Sequence, residues 1–129
     1  MSKIQTEVSA GELLDKLSIL EIKLNKITDL VLLNEVKKEY EILNETKNKN
    51  INFSKEIVIL YKNLKETNEK LWTIEDEIRL CEKNSDFKDK FIQLSRDVYV
   101  TNDKRSKTKS EINKILGSNI KEVKQYTQY

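Results

Sequence analysis

The stretch NEKLWTIEDEIRLCEKNSDFKDKFIQLSRDVYVTNDKR, residues 68–105, decides the fold. On either side of its polar triplet Asn84-Ser85-Asp86, apolar residues recur at alternating three- and four-residue spacing. Upstream the series is Ile57, Leu60, Leu64, Thr67, Leu71, Ile74, Ile78 and Cys81. Downstream it is Phe87, Phe91, Leu94, Val98, Thr101, Arg105, Thr108, Ile112 and Ile115. Two helices with heptad stripes and a tight turn between them predict a long antiparallel hairpin. Cys81 sits within the stripe, where a thiol packs as a small apolar group.

Moving outward, Ser9-Ala10-Gly11-Glu12 reads as a capping box, and Leu13, Leu17, Leu20, Leu24, Ile27 and Val31 follow it at heptad spacing. Ile19 and Ile22 lie off that stripe, so the first helix is apolar on more than one side and belongs between neighbours. Thr28-Asp29 offers a break and a new N-cap for a second helix through Leu33, Val36, Tyr40 and Leu43. The run Asn44–Asn52 reads as an exposed loop, Ser54 as the third N-cap and Gly117 as a left-handed C-terminal cap. The expected helices are 9–28, 30–47, 54–84 and 86–116, with a short fifth at 118–125. The expected architecture is therefore all-α: an elongated antiparallel helical bundle built on the helix 3–helix 4 hairpin, with a shorter N-terminal helical hairpin against it.

Composition agrees. The chain has 129 residues, which suits one domain over 1–129, with 36% charged residues, no proline and two glycines. No histidine and a single cysteine argue against a zinc site or a Cys/His nucleophile pair. No secretory signal or membrane-length apolar run is evident, so a reducing, cytoplasmic setting without membrane contact is expected. Net charge is +2, but residues 104–129 carry seven Lys/Arg against two Glu. The basic run Lys104–Lys109 raises nucleic-acid binding, which the near-neutral balance and the absence of a recognition module disfavour.

Beside the apolar stripe of helix 3 runs a second one: Tyr61, Lys65, Asn68, Trp72, Glu75 and Arg79. Helix 4 has its counterpart in Ser95, Tyr99, Asn102, Ser106 and Asn113. A turn near residue 85 places Asn68 opposite Asn102, Trp72 opposite Val98 and Tyr99, and Arg105 opposite Leu64 and Lys65. The chain uses lysine for ordinary surface charge and has only three arginines, Arg79, Arg96 and Arg105, all beside Glu75, Asp76, Asp97 and Asp103. A guanidinium fork holds carboxylates or phosphates bidentately, so defined pairing is expected. Either these residues fix register inside the bundle, or they line a groove for an anionic small molecule or a partner's carboxylates.

Four strings, GELLDKLSILEIKL at 11–24, LWTIEDEIR at 71–79, FIQLSRDVYVTNDKRS at 91–106 and GSNIKEVKQYTQY at 117–129, resemble an uncharacterised bacterial and phage family, domain of unknown function family 6165. By that resemblance the signature residues here are Trp72, Glu75, Asp76, Arg79, Arg96, Tyr99, Asn102, Asp103, Arg105 and Asn113. The resemblance implies no activity, only a setting near surface-polysaccharide and glycosyltransferase genes.

The function expected is a non-enzymatic helical interaction or scaffold module, needing no cofactor or metal and partnered by another protein or by itself as a homodimer. The alternative is a small all-α enzyme or anion-binding protein using Asn68, Trp72, Glu75, Asp76, Arg79, Arg96, Tyr99, Asn102, Asp103 and Arg105. Glu66-Thr-Asn-Glu69 with Asp86-Phe-Lys-Asp89 loosely resembles the Mg²⁺ carboxylates of helical nucleotide pyrophosphatases, a hit that 22 acidic residues produce by chance. Helical chorismate mutases also bind a dianion within a bundle, but no matching motif is present.

Overall fold

A computed structural model describes residues 1–129. Four helices account for the regular structure: α1 (Ala10–Lys26), α2 (Leu30–Asn50), α3 (Lys55–Lys83) and α4 (Asp89–Leu116). The N-caps behave as their chemistry dictates. The Ser9 hydroxyl accepts from the Glu12 amide, Asp29 from Val31 and Leu32, and Ser54 from Ile57. Helix α3 ends in a six-to-one turn: the Asp86 amide donates to the Cys81 carbonyl at 2.9 Å, with Ser85 in the left-handed region at φ 52°. Gly117, at φ 61°, ends α4 in the same conformation.

The hairpin forms as expected, and α3 and α4 pack most extensively on each other. Helix α1 packs on all three other helices, which is why it is apolar on more than one side. The main core joins Leu13, Leu14 and Leu17 of α1 to Ile57, Leu64 and Ile112. A smaller cluster, Ile74, Cys81 and Leu94, lies between α3 and α4 toward the turn. Helix α1 has 17 residues, about 26 Å, against 29 residues and about 43 Å in α3.

Three expectations are corrected. Asn44–Asn50 continues α2 instead of forming a loop. The Glu45–Lys49 pair and the Thr46 and Asn50 side chains, which donate to carbonyls one turn back, hold it helical without a breaker residue. Residues 118–125 form no helix. So short a segment cannot repay helix nucleation, and its side chains bond to α4 and to α1 instead. The apolar stripe of α1 stops at the Ile27–Asp29 break, and Val31, once past it, is 73% exposed.

The N-terminus of α1 seats directly on the end of α4. The Ala10 amide donates to Ser118 Oγ at 3.1 Å, and the Gly11 amide to Asn113 Oδ1 at 2.6 Å. A methyl group on Gly11 would stand 2.6 Å from the Lys109 carbonyl oxygen. Gly11→Ala should therefore destabilise the bundle by about 1–3 kcal/mol through overpacking. Gly117→Ala, strained only by its backbone angle, should cost about 1–2 kcal/mol. Urea denaturation of each variant followed by helical circular dichroism checks both.

Candidate functional site

Helix α1 carries Asp15 and Ser18 three residues apart on its inward side, at 1% and 0% exposure. A carboxylate so deeply buried must be paired and hydrogen-bonded. Arg105 of α4 closes on it as a fork, Nε to Oδ1 at 2.9 Å and Nη2 to Oδ2 at 2.5 Å. Asn68 of α3 donates from Nδ2 to Asp15 Oδ1 at 2.9 Å and to Ser18 Oγ at 2.8 Å. The Ser18 hydroxyl in turn donates to the Asp15 backbone carbonyl at 2.8 Å. Lys109, one turn along α4 from Arg105, lies 3.7 Å from Asp15 and is held by Glu12 at 2.9 Å and Glu122 at 3.0 Å.

Burial alone would raise the Asp15 pKa. The hydrogen bonds from Arg105 and Asn68 and the two nearby cations outweigh it and hold the carboxyl below its usual value. Burial pulls the Lys109 ammonium down, yet its bonds to Glu12 and Glu122 leave it above the ordinary lysine value. Every buried polar side-chain atom has a hydrogen-bond partner. Around the α1–α3 contact, burial and the adjacent Glu21 push the Tyr61 hydroxyl up, and Glu21 also meets Lys65 at 3.4 Å.

Of the ten residues singled out in the sequence, nine fall into three places and Arg96 into none. Asn68 and Arg105 join the buried network, with Asn102 accepting a long bond from Arg105 at 3.4 Å. Their hydrogen bonds go mainly to α1, which packs against both α3 and α4 and whose Asp15 takes both side chains. Trp72, Glu75, Asp76 and Arg79 line a groove of about 350 Å³ whose apolar wall includes Ile19, Ile22 and Leu71. There Arg79 pairs with Glu75 on its own helix, an exposed pair contributing about 0–1 kcal/mol. Tyr99, Asn102 and Asp103 border a separate cleft under the C-terminal segment, where Asp103 accepts from the Tyr129 hydroxyl. Arg96 is exposed and makes none of these bonds.

Asp15, Ser18 and Lys109 were not singled out as site residues, and Asn113 only as a member of the helix 4 polar stripe and by resemblance. Asp15 and Ser18 interrupt the apolar Leu13–Leu20 run at helical spacing, which is a readable signal. Lys109 carries none, being one of many lysines. No group of three or more acidic, Cys or His residues is placed to hold a metal ion. Glu69 lies fourteen residues before the end of α3, about 21 Å along its axis from the turn that holds Asp86. No helix is long and apolar enough to cross a membrane.

Fold and network together define an all-α bundle in which a short helix is locked into a long hairpin by a buried ionic network. The chain belongs to a family of unknown function, DUF6165, whose model matches residues 4–129. No curated protein and no solved structure matches it.

Removing one partner of the buried pair should be costly. Arg105→Ala is expected to lose about 3–5 kcal/mol, and Arg79→Ala less than about 1 kcal/mol. Because the folded pKa of Asp15 is lowered, its contribution is fully present above the unfolded value, about 4. It is lost as pH falls through the folded value. Asp15→Asn should lower stability at neutral pH and flatten this acid limb, as chemical denaturation across pH 2–6 (roughly the range over which carboxylates titrate) will show.

Proposed function

We propose that the protein is a non-enzymatic helical interaction module whose docking surface is the Trp72 groove, and that its first partner is a second copy of itself. The observation that carries this reading is the groove itself. It combines the chain's only tryptophan, half-buried, with Ile19, Ile22 and Leu71 and a charged rim of Glu75 and Arg79. Aromatic anchors in apolar grooves dominate helix-in-groove binding. Past the end of α1, the hairpin is two helices thick and leaves Leu80, Phe87 and Ile92 at 54, 50 and 52% exposure. A two-fold pair of hairpins would cover both halves at once.

The anion-binding alternative needs free guanidinium forks gathered in one groove, whereas Asp15 fills the fork of Arg105, Glu75 pairs with Arg79, and Arg96 does not line the Trp72 groove. That observation favours the interaction reading. The buried Cys81 thiol suits work in a reducing, cytoplasmic compartment. The family resemblance directs the search for further partners to bacterial or phage proteins of surface-polysaccharide pathways.

Sedimentation equilibrium should show a reversible dimer, with Trp72 emission shifting to the blue as concentration rises. Trp72→Ala should return the species to monomer while circular dichroism retains the helical signal. A wild-type chain that stays monomeric at millimolar concentration overturns the proposal.

A further inference from the structure

Past Gly117 the chain turns back along α4. Glu122 meets Lys109 at 3.0 Å, Lys124 Nζ donates to Ser106 Oγ at 3.1 Å, and the Tyr129 hydroxyl donates to Asp103. The Tyr129 ring stands edge-on to Tyr99 with centroids 5.5 Å apart. These contacts are all made by side chains. The last backbone–backbone bond of the segment is Ser118 N–H to Asn113 C=O. Val123, Tyr126 and Tyr129 remain 86, 74 and 81% exposed.

The segment is too long for its path. From Lys109 to Asp103 is six residues of α4, about 9 Å. The seven residues from Glu122 to Tyr129 could span about 23 Å extended. Two open clefts lie between the segment and the helix. One, of about 400 Å³, is bordered by Lys109, Ser110 and Asn113. The other, of about 560 Å³, is bordered by Tyr99, Asn102, Asp103 and Ser106. The receptor surface is thus larger than what occupies it. It also shares a charge partner with the segment: the Lys109 side chain, buried with the segment in place, has Glu12 and Asp15 of α1 beside it and takes its third carboxylate from Glu122.

We propose that the α4 face from Tyr99 to Asn113 is a docking groove for an extended peptide segment of a partner protein, which sets a carboxylate on Lys109 and a tyrosine against Asp103 and Tyr99. Residues 122–129 are its resting occupant, displaced when the partner binds, while Ser118 keeps its bonds to Ala10 and Asn113. A slack segment held by side chains opens locally at little cost, which makes it a competitor a partner can overcome.

The test uses the full-length chain and, as probe, a fluorescein-labelled peptide with the sequence of residues 118–129, read by fluorescence anisotropy. Tyr129→Ala, at an exposed side chain outside both core clusters, and separately Glu122→Gln, weaken the resting occupant. Each is expected to raise probe affinity at least tenfold over wild type. Adding Asp103→Asn to Tyr129→Ala should return it to the wild-type level. Equal binding to all forms, or no binding to any, overturns the proposal. A concentration-dependent dimer abolished by Tyr129→Ala but not by Trp72→Ala would assign the groove to a second copy's tail and overturn the hetero-peptide reading.

Discussion

The Asp15 carboxylate is the constraint on which the arrangement of this bundle depends. A heptad-patterned helix can settle at several positions along a heptad-patterned hairpin, since each one-turn shift buries similar apolar area. A carboxylate at 1% exposure removes that freedom, because only one position offers it Arg105, Asn68 and Lys109 together. Replacing such a network by apolar residues can leave stability unchanged or greater, so its contribution is one of register. The fit at the helix start acts in the same direction. Gly11 admits the Lys109 carbonyl, while Asn113 and Ser118 satisfy two amides that a helix N-terminus leaves open.

The helices were legible because their signals are local. Heptad spacing, the caps at Ser9, Asp29 and Ser54, and the left-handed Gly117 each act over a few residues. What lay outside a local reading was the packing of α1 against both α3 and α4. Facing positions counted from the turn treat the hairpin as two helices alone, so they pair Asn68 with Asn102 and miss Asp15. The grouping of Trp72, Glu75, Asp76 and Arg79 was legible from helical spacing, and the structure gathers them in one groove. The C-terminal segment was illegible for the opposite reason. Its helical pattern at Ile120 and Val123 is real, but nothing buries that face, and side-chain bonds to α4 and α1 hold the chain in another conformation.

Charge is distributed with the same division between inside and outside. The interior holds a balanced set, in which Asp15 and Glu12 face Arg105 and Lys109 and burial strengthens each attraction. Outside, the Glu45–Lys49 and Arg79–Glu75 pairs lie along single helices in high dielectric and tie no two elements together. Of the three arginines, only Arg105 bonds to a carboxylate on another helix.

The unequal lengths of α1 and α3 carry a mechanical consequence. At its base the hairpin is clamped by a third helix and an ionic lock, whereas toward Ser85 it is a lever held by Ile74, Cys81, Leu94 and their few neighbours. Amides near the tip are therefore expected to exchange with solvent more readily than those around Leu64 and Ile112, which lie in the larger core. The molecule is a rigid handle with a compliant fork. The Trp72 groove, walled by α1 and α3, sits at the junction of the two.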